Sequence, residues 1–275
     1  VVNEEKYADL PPSKIVPLLA DEGRYIASEA TIYRLLKFAR MLTHRHRSKP
    51  KSRFKPKAIS AFGPNRLYSW DITYIASTVK GWFFYLYIIM DVYSRKIVGW
   101  QVYAEESSEN AADLIEATCR SEGINRDQII LHSDNGSPMK GATMLTTLQR
   151  LGVVPSFSRP SVSNDNPYSE SLFKTLKYSP WYPENPFENV VEAREWVANF
   201  VNWYNTEHLH SGIKFVTPNQ RHQGLDKEIL SHRDRVYQEA KKQRPNRWSK
   251  ETRNWSEIKE VILNPEKFKT PSIGE

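Results

Sequence analysis

Hydrophobic positions along this chain change their period between its first forty residues and the stretch that begins near Arg66. From Ser13 to Ala39 they recur at helical spacing. Ile15, Leu18 and Leu19 share one stripe, and Ile32, Leu35, Leu36 and Ala39 share a second. Ser13 and Ser28 stand where N-caps belong, and Gly23 stands where the first helix should stop. Two helices joined by a turn of about four or five residues make either a helix-turn-helix unit or an ordinary helical hairpin.

From Arg66 the pattern reads as strand. "RLYSWDITYIAS", "WFFYLYIIMDVYS" and "KIVGWQVYAEE" are rich in aromatic and β-branched residues and are separated by short polar breaks, one of them at Gly81. They predict an antiparallel meander. A helix ("SSENAADLIEATCRSEG"), the short strand "QIILHS", a helix from about Ser137 to Leu151 and the strand "VVPSFS" come next. Two more helices are expected, one from near Pro167 and one from about Asn189 to Thr206. Strands that alternate with helices need parallel crossovers, so the fold class is α/β with a mixed five-stranded sheet flanked by helices. Three strands, then helix, strand, helix, strand, helix, is the order of a ribonuclease H-like core. The expected organisation is a helix-turn-helix domain over 1–43, a basic linker over 44–60, the α/β core over 61–225 and a small basic C-terminal appendage over 226–275. In the appendage Trp248 and Trp255 lie among arginines and lysines, which suits either nucleic-acid contact or packing back on the body.

Composition narrows the function. No apolar run approaches the roughly 20 residues a membrane helix needs, and the most apolar window, Trp82 to Tyr93, is interrupted by Asp91. The N-terminus lacks the features of a signal peptide, so a cytoplasmic location is expected. The single cysteine, Cys119, excludes an intrachain disulfide and a cysteine-rich zinc site. A net charge of +7 favours an acidic partner such as nucleic acid. Much of that charge sits in "HRHRSKPKSRFKPK", where Arg45, Arg47, Lys49, Lys51, Arg53, Lys55 and Lys57 occur without an acid. Alternating cations of this kind can follow a phosphate backbone or simply solvate a linker. If the N-terminal helices are a helix-turn-helix, Ser28, Thr31, Arg34 and Lys37 on the second helix are its candidate DNA contacts.

Three acids attract attention. Asp71 lies inside the first strand of the meander, and Asp134, in "LHSDNGSPM", ends the first parallel strand. These strands should be central neighbours, so the two carboxylates converge and need a proton or a hard divalent cation between them. In "SNDNPYSESLFKTLKYS", Asn166 is a candidate N-cap, Pro167 the first helical residue, and Glu170 falls in the first turn. Lys174 and Lys177 share the face of Glu170, whereas Leu172 and Leu176 turn to a core. Asp165 is the competing carboxylate and ranks second. His132, on the same strand face as Asp134, is either a substrate contact or a packed histidine. Asn135 is a further possible substrate contact that also shapes the turn with Gly136.

Between Asp71 and Asp134 lie 62 residues, and between Asp134 and Glu170 lie 35. This spacing, with "WDIT", "HSDNG" and "DNPYSESLFKTLK" around the acids, resembles the catalytic core of retroviral-integrase-type transposases. More narrowly it resembles the second-reading-frame transposase of the bacterial insertion-sequence-three family, and "WYNTEHLHSGIKFVTPNQ" resembles the ending of that family's core. Pro167 and Leu209 depart from residues common in that family, an Ala and an Arg. One cysteine cannot build the two-His, two-Cys zinc domain of retroviral integrases, which favours the helix-turn-helix reading. The resemblance implies a DDE transposase in which Asp71, Asp134 and Glu170 hold two Mg²⁺ ions, with Mn²⁺ able to substitute. It implies cleavage of a strand at the terminal inverted repeats of an insertion sequence and transfer of the 3′-hydroxyl end to another phosphodiester, with Lys174 and Lys177 holding phosphate. It further implies double-stranded DNA as partner, a homodimer or higher oligomer on that DNA, and work at the bacterial nucleoid. A hydrolytic ribonuclease H-like nuclease and a DNA-binding regulator derived from a transposase are the alternatives. Val1 in place of Met suggests that a preceding segment is missing or processed away.

Overall fold

The computed structural model describes residues 1–4, 6–7, 10–39, 41, 58–159 and 165–265. The chain divides into two compact units, Val1–Phe54 and Lys55–Glu275.

In the first unit, α1 (Pro12–Asp21) and α2 (Glu29–Phe38) are joined by the seven residues from Glu22 to Ser28. Gly23 (φ 73°) lies just past the α1 C-cap residue Glu22, and Ser28 is the N-cap of α2, so the four residues 24–27 between them match the expected turn. α1 starts on Pro12 with no side-chain cap, so Ser13 lies inside the helix rather than before it. Ser28 does cap α2, accepting the Thr31 N–H at 3.3 Å. Tyr7, Ile15 and Leu19 form a small core, and Ile32 and Leu36 are buried. Leu35, read as part of the same stripe, is 61% exposed, and Ala39 is exposed too.

The second unit is built on five strands: β2 (Leu67–Ala76), β3 (Phe83–Asp91), β4 (Ile97–Tyr103), β5 (Ile130–Ser133) and β6 (Val154–Phe157). Their order is β4-β3-β2-β5-β6, antiparallel in the β4-β3-β2 half and parallel in the β2-β5-β6 half. This is the mixed ribonuclease H-like sheet. One face, with Tyr68, Trp70, Tyr87 and Ile89, packs against α3 (Ser108–Ser121) and α5 (Ala142–Leu151). The other, with Ile75, Leu86, Ile88 and Met90, packs against α6 (Pro167–Lys177) and α7 (Val190–Thr206). Burial on both faces explains why β3 reads as a continuous apolar run rather than an alternation. The helix expected from Ser137 to Leu151 is broken at Gly141 into α4 (Ser137–Lys140) and α5. A Cβ at Gly141 would lie 2.4 Å from the Ser108 Cβ, so the chain passes α3 too closely for a side chain.

Beyond α7, α8 (Pro218–His222) and α9 (Asp226–Gln243) are followed by β7 (Val261–Leu263), which pairs antiparallel with β1 (Ile59–Ala61). Residues expected to form an appendage are therefore stitched into the core, and Ile59 and Ser60 are strand rather than linker. The stitch is specific. Buried Arg221 donates to the carbonyls of Tyr93 (2.9 Å) and Ile258 (2.8 Å) and to Asp226 Oδ2 (2.9 Å). Trp255 is buried with Ile213, Val216 and Leu230, the packing alternative for this tail.

Candidate active site

The register of β2 on β5 pairs Ser69 with His132 and Trp70 with Ser133. The next residues are Asp71, in the middle of β2, and Asp134, just past the end of β5, so the two acids follow paired positions on neighbouring strands roughly 4.8 Å apart. Asp71 Oδ1 accepts one hydrogen bond, from the Ile72 N–H at 2.8 Å. Burial, then the charge of Asp134 and that of Glu170, pushes its carboxyl up to about 7. Asp134 is exposed in a turn closed by the Gly136 N–H donating to Oδ1 at 2.9 Å. Asn135 donates through Nδ2 to the Ser158 carbonyl, so its side chain holds this turn against the end of β6.

Glu170 is brought to the pair by the first turn of α6. Asn166 occupies the N-cap position but makes no cap bond; its Oδ1 accepts from Ser69 Oγ at 2.6 Å and its Nδ2 donates to the Trp70 carbonyl at 3.2 Å. The Ser69 and Ser169 hydroxyls are 2.6 Å apart as well. These bonds fasten α6 to β2 two residues before Asp71 and one residue before Glu170. The Arg95 guanidinium, 4.0 Å from the Tyr168 ring centroid, braces the same turn. Leu172 and Leu176 are buried, while Lys174 and Lys177 are exposed and have no ion-pair partner among the described residues. Reading from sequence missed Ser69, Asn166 and Ser169 as a unit. The available signal was a small hydroxyl at a core-facing position on each element.

Asp165 is committed elsewhere. It is 1% exposed and accepts both Nε and Nη2 of Arg159 at 2.9 Å, with the Arg159 N–H at 2.9 Å in addition. Arg159 holds its carboxyl below the usual carboxylate range. Of the two readings of His132, substrate contact or packed histidine, the structure has the packed one: the ring is fully buried. Its Nε2 donates to the Asp165 carbonyl at 2.9 Å, which leaves Nδ1 to accept from Ser156 Oγ at 2.9 Å. Burial lowers its pKa, so a neutral His132 fixes the strand end instead of meeting solvent. His208 stacks on Tyr204, and His210 Nδ1 accepts the Gly212 N–H at 3.0 Å; both serve the chain after α7.

In the first unit, the Ser28 and Thr31 hydroxyls lie 2.9 Å apart within the α2 cap, and Arg34 donates to Thr31 Oγ1 at 3.2 Å. Arg34 and Lys37 are exposed. Arg45, Arg47, Lys49, Lys51 and Arg53 lie outside the described residues. Among the described residues no three His, Cys, Asp or Glu side chains are already gathered tightly enough to hold a metal ion. Asp71, Asp134 and Glu170 are near enough to raise the pKa of Asp71, and all offer hard oxygen donors.

Residues 62–163 and 151–218 match two descriptions of the integrase core domain. The chain is 33% identical over 159 residues to the transposase for insertion sequence element IS904 of Lactococcus lactis, covering 58% of this chain and 61% of that protein. It is 31% identical to the putative transposase for IS986/IS6110 of Mycobacterium tuberculosis (60% of this chain, 59% of that one). It is 29% identical to transposase InsF for IS3A of Escherichia coli K12 (58% and 54%). The matches thus span about three-fifths of the length of these relatives. A chain of a simian T-cell lymphotropic virus intasome superposes with a TM-score of 0.48 at 16% identity, covering 77% of this chain and 74% of that one. Residues 62–218, which carry the mixed sheet and the three acids, belong to the integrase core domain family, and the chain is similar there to transposases of bacterial insertion sequences.

Proposed function

We propose that this chain is a divalent-metal-dependent DDE transposase that binds the terminal inverted repeats of an insertion sequence, cleaves one strand and transfers its 3′-hydroxyl end to another phosphodiester. The observation that carries this reading is the placement of Asp71 beside Asp134, with Glu170 delivered to them by a helix hydrogen-bonded to the strand of Asp71. Asp71, pushed up to about 7 and accepting the Ile72 N–H, belongs to a group of three carboxylates that have no ion-pair partner among the described residues. Mg²⁺ suits such a cluster, and Mn²⁺ would substitute. Asp71, Asp134 and Glu170 would hold two such ions, whose chemistry there would be Lewis-acid activation of the attacking oxygen and neutralisation of charge on the phosphate.

The protein's own contribution is positioning and charge. The Ser69, Asn166 and Ser169 contacts hold Glu170 toward β2. Lys174 and Lys177, one and two turns further along the exposed face of α6, would hold substrate phosphates as point charges. The α1–α2 pair would read the terminal repeats, with Arg34 and Lys37 at the DNA, and the cations from Arg45 to Arg53 would track the neighbouring backbone. Two ends to be joined imply two such sites, hence a homodimer or higher oligomer on DNA in the cytoplasm.

Incubation with Mg²⁺ and end-labelled DNA carrying candidate element ends tests the reading. Cleaved and joined products are expected. Asp71→Ala, Asp134→Ala and Glu170→Ala should each lower their yield by about 10³-fold or more while end binding persists. Cleavage without any joining would assign the site to a hydrolytic nuclease, and product formation undiminished in Glu170→Ala would remove Glu170 from the site.

A further inference from the structure

Three of the chain's eight tryptophans meet where the loop after α6 folds over α7. Trp181, Trp196, Asn199, Phe200 and Trp203 line a groove of about 420 Å³. That volume lies within the range of small-ligand sites, ~300–1,000 Å³. The loop is tied down, because Trp196 Nε1 donates to the Trp181 carbonyl at 3.1 Å and the Trp181 and Trp203 rings meet edge to face at 4.5 Å. Yet Trp181 is 54% exposed, so a large indole is held in place without being buried.

Charge around the groove runs against the rest of the molecule. The whole chain carries +7, but residues 180–207 contain Glu184, Glu188, Glu192, Glu195 and Glu207 against a single cation, Arg194. Arg194 is turned away, donating through Nε to the Val102 carbonyl of β4 at 2.9 Å. Along α7 and its C-cap residue Glu207, the order Glu192, Trp196, Asn199, Trp203, Glu207 advances by four, three, four and four residues. Helical spacing of this kind sets acids at both ends of one aromatic stripe. Glu192, Glu195 and Glu207 are exposed.

We propose that this groove is a docking site for an arginine-bearing basic peptide segment of a partner protein. Indole faces attract a guanidinium through their quadrupole and stack on its plane; Glu207 and Glu192, whose Oε2 accepts the Glu188 N–H at 2.7 Å and whose other oxygen remains, add charge-assisted hydrogen bonds to it. The same carboxylates repel phosphate, so nucleic acid is the wrong occupant for this face although the chain as a whole is basic. The site is independent of the proposed transposase activity: the stripe lies on α7, and none of its residues is among the three acids or the lysines of α6.

The test is a tryptophan-fluorescence titration of the full chain with a short alternating Gly-Arg peptide, repeated with its Gly-Lys counterpart and with Trp181→Ala, Trp181→Phe and Glu192→Gln/Glu207→Gln. The arginine peptide should bind more tightly than the lysine one. Trp181→Ala and the double Gln variant should each weaken it by about tenfold, and Trp181→Phe should largely retain it. Thermal melts confirm that the variants are folded, and the Gln pair keeps the test valid if Trp181→Ala is not. The proposal is overturned if affinity is unchanged in both variants, or if Asp134→Asn costs as much, which would place the peptide on the three acids instead. It is equally overturned if a DNA oligonucleotide competes at the groove, or if Trp181→Ala changes the oligomeric mass and leaves peptide affinity alone, which would make the face a self-association surface.

Discussion

The hydroxyl of Ser69 on β2 lies 2.6 Å from that of Ser169 on α6, and these two residues, 100 positions apart in sequence, tie the strand of Asp71 to the helix of Glu170. Ser69 shares a strand face with Asp71, and Ser169 immediately precedes Glu170. Because Ser69 also donates to Asn166, its removal leaves a buried amide oxygen without that donor. Ser69→Ala should therefore lower stability by about 1–3 kcal/mol, read by chemical denaturation. Strand joining should fall further than stability explains, since α6 loses its registration on β2. Joining at the wild-type rate in a folded Ser69→Ala protein would show that the contact does not position Glu170.

Asp71 makes stability depend on pH in a definite direction. Its folded pKa, about 7, lies above the ordinary carboxylate value, so the folded state holds a proton that the unfolded chain has lost. Without metal, the melting temperature should fall as pH rises from about 4 through about 7 and then level off. Asp71→Asn should flatten that fall, and Mg²⁺ at pH 8 should raise the melting temperature of the wild type but not of this variant. A wild-type protein whose stability is flat over this window would contradict the burial of Asp71 and its crowding by Asp134 and Glu170.

Lys174 and Lys177 separate a catalytic α6 from a merely solvated one. Both are exposed and unpaired among the described residues, so Lys174→Glu/Lys177→Glu should change the melting temperature little. End joining should collapse, since like charge would then face phosphate beside Glu170. Wild-type joining by the double variant would mean that this face of α6 does not meet the substrate.

The basic segment is tested by salt. Changing Arg45, Arg47, Lys49 and Lys51 together to Ala should weaken binding to specific and random duplex alike, because phosphate contacts carry no sequence information. The slope of log affinity against log salt should become shallower by roughly 0.9 for each phosphate that is no longer neutralised. An unchanged slope would leave these residues as a spacer.

Where the sequence was legible, the signal was local. The aromatic and β-branched runs mark the meander, Pro167 marks the start of α6, and Ser28 is recognisable as a cap from the helix-forming residues directly after it. Asp71 and Asp134 could be set side by side because strand order is constrained by the alternation of strands and helices. The same reasoning failed at Ser13, where Pro12 had already begun the helix, and at Gly141, where α3 presses on the chain from about thirty residues away.

By itself, then, the sequence determined the order of the elements, the mixed sheet and the three candidate acids, because backbone period, turn chemistry and spacing are properties of neighbours along the chain. Tertiary structure alone decided that Asp165 is consumed by Arg159, that His132 is buried among Ser156, Ser158 and the Asp165 carbonyl, and that β7 returns to pair with β1. It also decided that Ser69, Asn166 and Ser169 form one hydrogen-bonded unit. Each of those outcomes depends on which polar groups must find partners once water is excluded, and that is settled only when distant segments pack together.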